Sequence, residues 1–278
     1  MTVAIGTEVY NVDQANVVAR GRSHSAAERD DALDNEVRAL IEDEDGRNMA
    51  SSLMSNVSLT GFQATSLKSI LEGSSSPKDW EVGEAYSEAY LSAHKDCFFP
   101  WADRWDEKKE KSSLPGADLV GLQETDHKTL PYRFVFGEVK TSYEKKSPPG
   151  VMYGSEGLKK QTDDLRNNRS LRGALTRYLL VRAQGADWES EFQSAMKRFL
   201  AASTDVTIFG ILVRDTSPNK KDIRARAKGL AKDCPKKMHV ELLAIYLPTG
   251  SIVNLAAFFG SKKKKVTKKK RTKKKGGS

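Results

Sequence analysis

Two largely apolar runs in the second half of the chain constrain its fold more than any other feature of the sequence. The first run, 206–213, reads VTIFGILV, and the second, 240–247, reads VELLAIYL. A strand can be apolar along its whole length only when both faces of its sheet are covered, which is typical of sheets with helices on both sides. The sequence therefore predicts an α/β protein with a buried central sheet.

Helical and strand-like patterns fill most of the chain before these runs. Residues 77–94 have an apolar stripe at helical spacing, and 117–122 and 133–139 are short apolar runs on either side of a polar loop, which is typical of an antiparallel hairpin. Further helices are predicted at 155–181 with a break near Asn167 and Asn168, at 188–202 and at 221–232. From residue 77 the order is α-β-β-α-α-β-α-β, a mixed sheet flanked by helices.

Composition divides the chain into three predicted parts. Residues 1–64 are expected to form a small N-terminal α+β lobe, and 65–260 the main domain. Residues 261–278 form a Lys-rich tail, in which 262–275 contain ten Lys and one Arg without an acid. Such a run repels itself and is expected to be disordered. It could bind phosphates without specificity, or it could be a segment added for expression.

The tail also accounts for the net charge of +9. Without its eleven cations, 35 basic residues stand against 37 acidic ones, so the body of the chain is close to neutral. The two cysteines, Cys97 and Cys234, are far apart and form no zinc motif. The start of the chain lacks the pattern of a signal peptide, and no apolar run has the length of a membrane span. We therefore expect a cytoplasmic protein without a membrane partner.

The sequence Gly-Glu-Val-Lys at 137–140 ends the second strand of the predicted hairpin. Residues two apart on a strand project from the same face, so Glu138 and Lys140 point the same way. Glu-x-Lys alone is a weak signal, because it occurs three times in this chain and an exposed ion pair at a strand end is common. Only the copy at 138–140 follows a buried strand.

Asp118, at the start of the first hairpin strand, adds a second carboxylate. In an antiparallel hairpin the start of one strand lies beside the end of the next, so Asp118 is expected next to Glu138. Two neighbouring carboxylates repel each other unless a cation or a proton compensates. Mg²⁺ prefers carboxylate and water oxygens, and Lys140 would then hold an attacking water or stabilise charge on a phosphate.

Helices on either side of the hairpin offer further candidates. Glu81, Glu84 and Glu88 share roughly one face of the helix at 77–94, and Glu84 is our choice for completing the metal shell or orienting a bound water. Lys159, Lys160 and Gln161 lie early on the helix at 155–181, where they could contact a DNA phosphate.

These residues resemble the PD-(D/E)XK nuclease superfamily, in which a helix with Glu precedes a hairpin with Asp and then Glu-x-Lys. The resemblance covers 77–213, and its residues are Glu84, Asp118, Glu138 and Lys140. The proline of the motif is absent, since Ala117 precedes Asp118. The resemblance implies a restriction-endonuclease-like core, DNA as the substrate, and Mg²⁺ or Mn²⁺ held by Asp118, Glu138, Glu84 and the backbone carbonyl of Val139.

More narrowly, the segments VGEAYSEAYL, GADLVGLQ and FVFGEVKTS, with the leading lobe, resemble the HamA family, the nuclease subunits of bacterial Hachiman anti-phage systems. This resemblance implies a partner, the superfamily 2 helicase HamB, and a role as the effector of a defence complex. Two alternatives stay open: a degenerate nuclease fold that regulates a helicase without cutting, and a stand-alone restriction or junction-resolving nuclease. The sequence decides neither DNA against RNA nor the number of metal ions.

Overall fold

A computed structural model describes residues 2–43, 77–100 and 116–259, together with positions 46, 48, 52 and 61. Seven strands of this part of the chain form one sheet, in the order β1-β2-β7-β6-β5-β4-β3. The strands are β1 (Thr7–Asn11), β2 (Val17–Ser23), β3 (Cys97–Phe98), β4 (Leu119–Glu124), β5 (Tyr132–Ser142), β6 (Val206–Arg214) and β7 (His239–Tyr246). The four central strands β2, β7, β6 and β5 are parallel, and the pairs β1/β2, β5/β4 and β4/β3 are antiparallel.

Helices cover both faces of this sheet. On one face pack α1 (Ala26–Asp34), α2 (Glu36–Glu42) and α3 (Asp79–His94). On the other face pack α4 (Leu158–Asn167), α5 (Arg169–Ala183), α6 (Glu189–Ala201) and α7 (Lys221–Ala231). Because β6 lies between these layers, it is buried at every position, which confirms the prediction made from its apolar run.

The hairpin, the two buried strands and the helices after the hairpin confirm the sequence prediction. The break near Asn167 and Asn168 has a local cause, because the Asn168 side chain accepts a hydrogen bond of 3.0 Å from the Leu171 N–H. This cap starts α5 immediately after α4 ends. The two-residue strand β3 was not predicted, since so short a segment has no periodicity to read.

The first strands differ from the sequence prediction of a separate lobe at 1–64. The strand β2 is hydrogen-bonded to β7 in parallel, with Val17 opposite Val240 and Ser23 opposite Tyr246, so residues 7–23 extend the central sheet. The predicted boundary between residues 64 and 65 and the tail at 261–278 lie outside the described residues. Among the helices that the structure describes, none has the length and apolar character needed to cross a membrane.

A buried ion pair joins β6 to α7 next to the end of β5. Arg214 and Asp222 are both fully buried, and Arg214 Nη1 donates to Asp222 Oδ2 at 2.7 Å. The Tyr246 hydroxyl donates to the same Asp222 oxygen at 2.8 Å. The Arg214 guanidinium also donates to the backbone carbonyls of Glu144 and Lys146. Arg214 therefore fixes the segment that follows β5 to α7 and β7.

Candidate active site

Glu138 and Lys140 project from one face of β5, on the side covered by α4 to α7. Phe134 and Phe136, which have the same parity, belong to the core on that side, whereas Val135 and Val139 face α3. The Glu138 side chain is only 1% exposed and that of Lys140 is 20% exposed. Lys140 Nζ donates to Glu138 Oε1 at 2.5 Å, so this pair is mostly withdrawn from solvent rather than a solvated surface pair.

Asp118 stands immediately before β4 and reaches across the end of the hairpin. The register places Leu119 opposite Gly137, which brings the preceding residue, Asp118, beside Glu138. Asp118 Oδ2 accepts the backbone N–H of Val139 at 2.7 Å, which fixes the carboxylate at the edge of β5. The two carboxyl groups are close enough for a protonated Glu138 to donate a hydrogen bond to Asp118.

The electrostatics follow from this crowding. Burial and the neighbouring charge of Asp118 raise the pKa of Glu138 to about 8, although the Lys140 ammonium lowers it. Burial lowers the pKa of Lys140, but the charges of Glu138, Asp118 and Glu84 outweigh burial and raise it. Near neutral pH Glu138 therefore holds a proton, and an added cation that compensates its charged form would be stabilised there.

The helix α3 brings Glu84 to the same end of β5 from the opposite face. Glu84 lies close enough to raise the pKa of Lys140 by its charge. The side chain of Glu81, in contrast, accepts the Lys78 N–H at 2.5 Å and serves the start of the helix. Of these two acids, Glu84 is therefore the one that acts on the site.

Gly83 allows α3 to approach β5 this closely, because a Cβ atom there would collide with Oγ1 of Thr141. We expect Gly83→Ala to lower the free energy of unfolding by about 1–3 kcal/mol, the usual cost of forcing an extra methyl group into a packed contact. Urea denaturation measures the change. Thr141→Ala in the same chain removes the colliding oxygen and is expected to restore part of the stability. If Gly83→Ala alone leaves stability unchanged, the close packing of α3 on β5 is contradicted.

The donor set fits a hard divalent cation. Asp118 and Glu138 supply carboxylate oxygens, and a third oxygen is available from the backbone. In a strand, the N–H and C=O of one residue point to the same edge, so the Val139 carbonyl shares the edge on which Asp118 accepts the Val139 N–H. Mg²⁺ needs only one or two protein carboxylates, because it keeps several waters. Within the described residues no three His, Cys, Asp or Glu side chains are grouped to hold a metal ion, and the role of Glu84 as a ligand stays a prediction.

The residues at the start of α4 lie in two directions. Leu158 and Leu165 are buried against the sheet. Because each residue of a helix turns by about 100°, Gln161 projects from the side of α4 opposite to Asp163 and Arg166. Those two contact α7, so Gln161 faces the β5 side. Its Oε1 atom is buried without a hydrogen-bond partner in the described part of the chain. Lys159 and Lys160 are exposed.

Sequence reasoning missed Tyr153, which lines a depression with Lys159 and Lys160. No periodicity marks this residue, because it follows a short 3₁₀ turn at Gly150–Met152. Two aromatic residues at and just after the end of β3 differ in burial. Phe99 packs against the core, whereas Phe98 is 42% exposed. Trp101 and Trp105 lie outside the described residues.

The fold and site together define a mixed α/β protein with a carboxylate–carboxylate–ammonium centre at the end of a hairpin. Neither the models of protein families nor the curated proteins compared with this sequence match it.

Proposed function

We propose that this chain is a metal-dependent nuclease of the PD-(D/E)XK type that hydrolyses phosphodiester bonds in DNA. One observation carries the proposal: Asp118, Glu138 and Lys140 converge at the end of β5, with Glu138 buried. A buried pair of carboxylates lowers the stability of the fold, because taking charges out of water is unfavourable. Such a pair is therefore more typical of a functional site than of a structural one.

Asp118, Glu138 and the carbonyl of Val139 would hold the metal ion. The chemistry supplied by a bound Mg²⁺ would be the activation of a water molecule and the stabilisation of charge on the phosphate. Lys140 stays protonated, since its neighbours raise its pKa, and its ammonium group can orient the attacking water or stabilise negative charge on the phosphate. Glu84 can orient a bound water or help to keep Lys140 charged.

The wider role that we propose is the effector of an anti-phage complex controlled by a partner helicase. Its support is the resemblance to the HamA family and the near-neutral charge of the chain outside the tail, with 35 basic and 37 acidic residues. Strong DNA binding depends on cationic contacts with phosphates, so a neutral body would need a partner for loading. Such an effector would spare cellular DNA until the helicase engages foreign or damaged DNA.

Digestion of plasmid and linear DNA tests this proposal. We expect cutting by the chain together with its helicase in Mg²⁺, loss of cutting when EDTA removes the metal, and recovery when Mg²⁺ or Mn²⁺ is restored. The reason is that the bound metal ion would activate the attacking water. Products are followed on denaturing gels.

Three outcomes would contradict parts of the proposal. Absence of cutting under every metal condition favours a regulatory module without catalysis. Sequence- or structure-specific products from the chain alone favour a stand-alone nuclease. Cutting that persists in EDTA excludes the metal-dependent mechanism.

A further inference from the structure

A surface depression lies one strand away from Lys140. Its volume is about 240 Å³, and it is lined by Tyr153, Gly154, Lys159, Lys160 and Asp163. Residues adjacent in sequence to this lining, Met152 and Leu158, pack on Leu212. Leu212 is the partner of Lys140 in the β5/β6 register, so the start of α4 lies over β6, one strand away from Lys140.

Of the two lysines that line this depression, Lys160 forms an ion pair with Asp164 one turn further along α4, whereas Lys159 has no ion pair within the part of the chain that the structure describes. Lys159 and Lys160 lie in the first turn of the helix, where no acidic residue and no side-chain cap occur. Cations are unfavourable at a helix N-terminus, because the helix dipole places partial positive charge there. Asp163 is bound by Arg226 through two contacts of 2.6 and 3.1 Å, so its charge is already compensated. An anion in the depression could therefore pair with Lys159.

Tyr153 adds an exposed aromatic ring to the same depression. Its side chain is 53% exposed, and its N–H donates to the Gly150 carbonyl at 3.0 Å. Gly157, at the start of α4, permits this turn, because a Cβ atom there would collide with the backbone of Tyr153. The backbone at Tyr153 is therefore held in a defined turn before the helix that carries the two lysines.

We propose that this depression binds one unpaired nucleotide of the substrate strand. The Tyr153 ring would stack on the base, and Lys159 with Lys160 would contact the phosphate. A base can stack on a side chain in this way only when it is not stacked in a duplex, so the substrate near the centre is single-stranded. This inference rests on the proposed nuclease function, and it adds the strand state of the substrate.

Binding of fluorescent oligonucleotides tests the depression without requiring cleavage. The protein is the full chain with Glu138→Gln, and the probes are a short oligothymidylate and an abasic strand with the same number of phosphates. Tyr153→Leu is expected to raise the Kd for oligothymidylate about fivefold or more, the usual effect of losing one base–aromatic stack. The Kd for the abasic strand should not change. Tyr153→Phe keeps the ring and should bind like the parent.

The abasic strand separates stacking from charge, including any charge contributed by the Lys-rich tail. Tyr143→Leu is the matched control, because Tyr143 is also exposed, at 64%, but does not line the depression. The proposal is overturned if Tyr153→Leu changes both Kd values equally or neither. If the parent chain never cuts DNA but Tyr153 discriminates the two probes, the depression stands and the nuclease function fails.

Discussion

Glu138→Gln is expected to reduce metal-dependent DNA cutting at least about a hundredfold, since the glutamine has nearly the same shape but loses a negatively charged ligand. The same change should leave the free energy of unfolding equal or higher. Glu138 is buried beside Asp118, and a neutral side chain avoids the cost of a buried charge there. Loss of activity with retained stability is the combination that a functional site predicts.

Single-turnover cleavage and urea denaturation measure the two effects on the same preparations. Glu124→Gln is a matched control, because Glu124 is an exposed acid at the other end of the same hairpin, opposite Tyr132. Lys140→Ala should lose activity like Glu138→Gln. A structural role would instead show as a clear loss of stability in Glu138→Gln with cutting preserved, and that result would reject the nuclease assignment.

Arg214→Met is expected to lower the free energy of unfolding by about 3–5 kcal/mol, because it leaves the Asp222 carboxylate buried without its ion partner. Both side chains of the pair are fully buried, and Arg214 Nη1 lies 2.7 Å from Asp222 Oδ2. The change also frees the Glu144 and Lys146 carbonyls, which Arg214 holds after β5. Urea denaturation, with thermal melting as a second readout, gives the difference.

Two variants make this prediction specific. Arg214→Met combined with Asp222→Leu removes both charges and should recover most of the lost stability. Lys160→Met breaks the ion pair of Lys160 with Asp164, whose side chains are 56% and 40% exposed. This change should lower the free energy of unfolding by about 1 kcal/mol or less. A loss below about 1 kcal/mol for Arg214→Met would mean that water or another group replaces the guanidinium.

Local patterns were enough to predict the central part of the fold. Largely apolar runs identified β6 and β7, and the alternation of runs with a polar loop identified the β4/β5 hairpin. The break between α4 and α5 could be predicted at Asn168, because an asparagine side chain favours the start of a helix. Each of these signals lies within one element or between neighbours in the chain.

Partners distant in sequence could not be predicted in the same way. The pattern of β2 alternates between buried and partly buried positions, which marks a strand but does not say which other strand it joins. The parallel pairing of β2 with β7 depends on the whole arrangement of helices over the sheet. The prediction of a separate lobe at 1–64 therefore did not include the pairing that joins β2 to the central sheet.

The same difference between local signals and distant partners applies to the residues of the candidate site. Asp118, Glu138 and Lys140 followed from strand parity and hairpin register, which are local rules. The buried oxygen of Gln161 and the place of Tyr153 depend on how α4 packs across β5 and β6, and no residue pattern encodes that packing directly.

The parallel β2/β7 pair also has a consequence for how the molecule is made. Val17 is translated well before its partner Val240, because β4, β5 and β6 lie between them in the chain. The growing polypeptide must keep β2 without its final neighbour while β4, β5 and β6 emerge and assemble. The pairing of β2 with β7 closes a long loop and is therefore slow. We expect the complete sheet to form later than the β4/β5 hairpin that carries the charged centre.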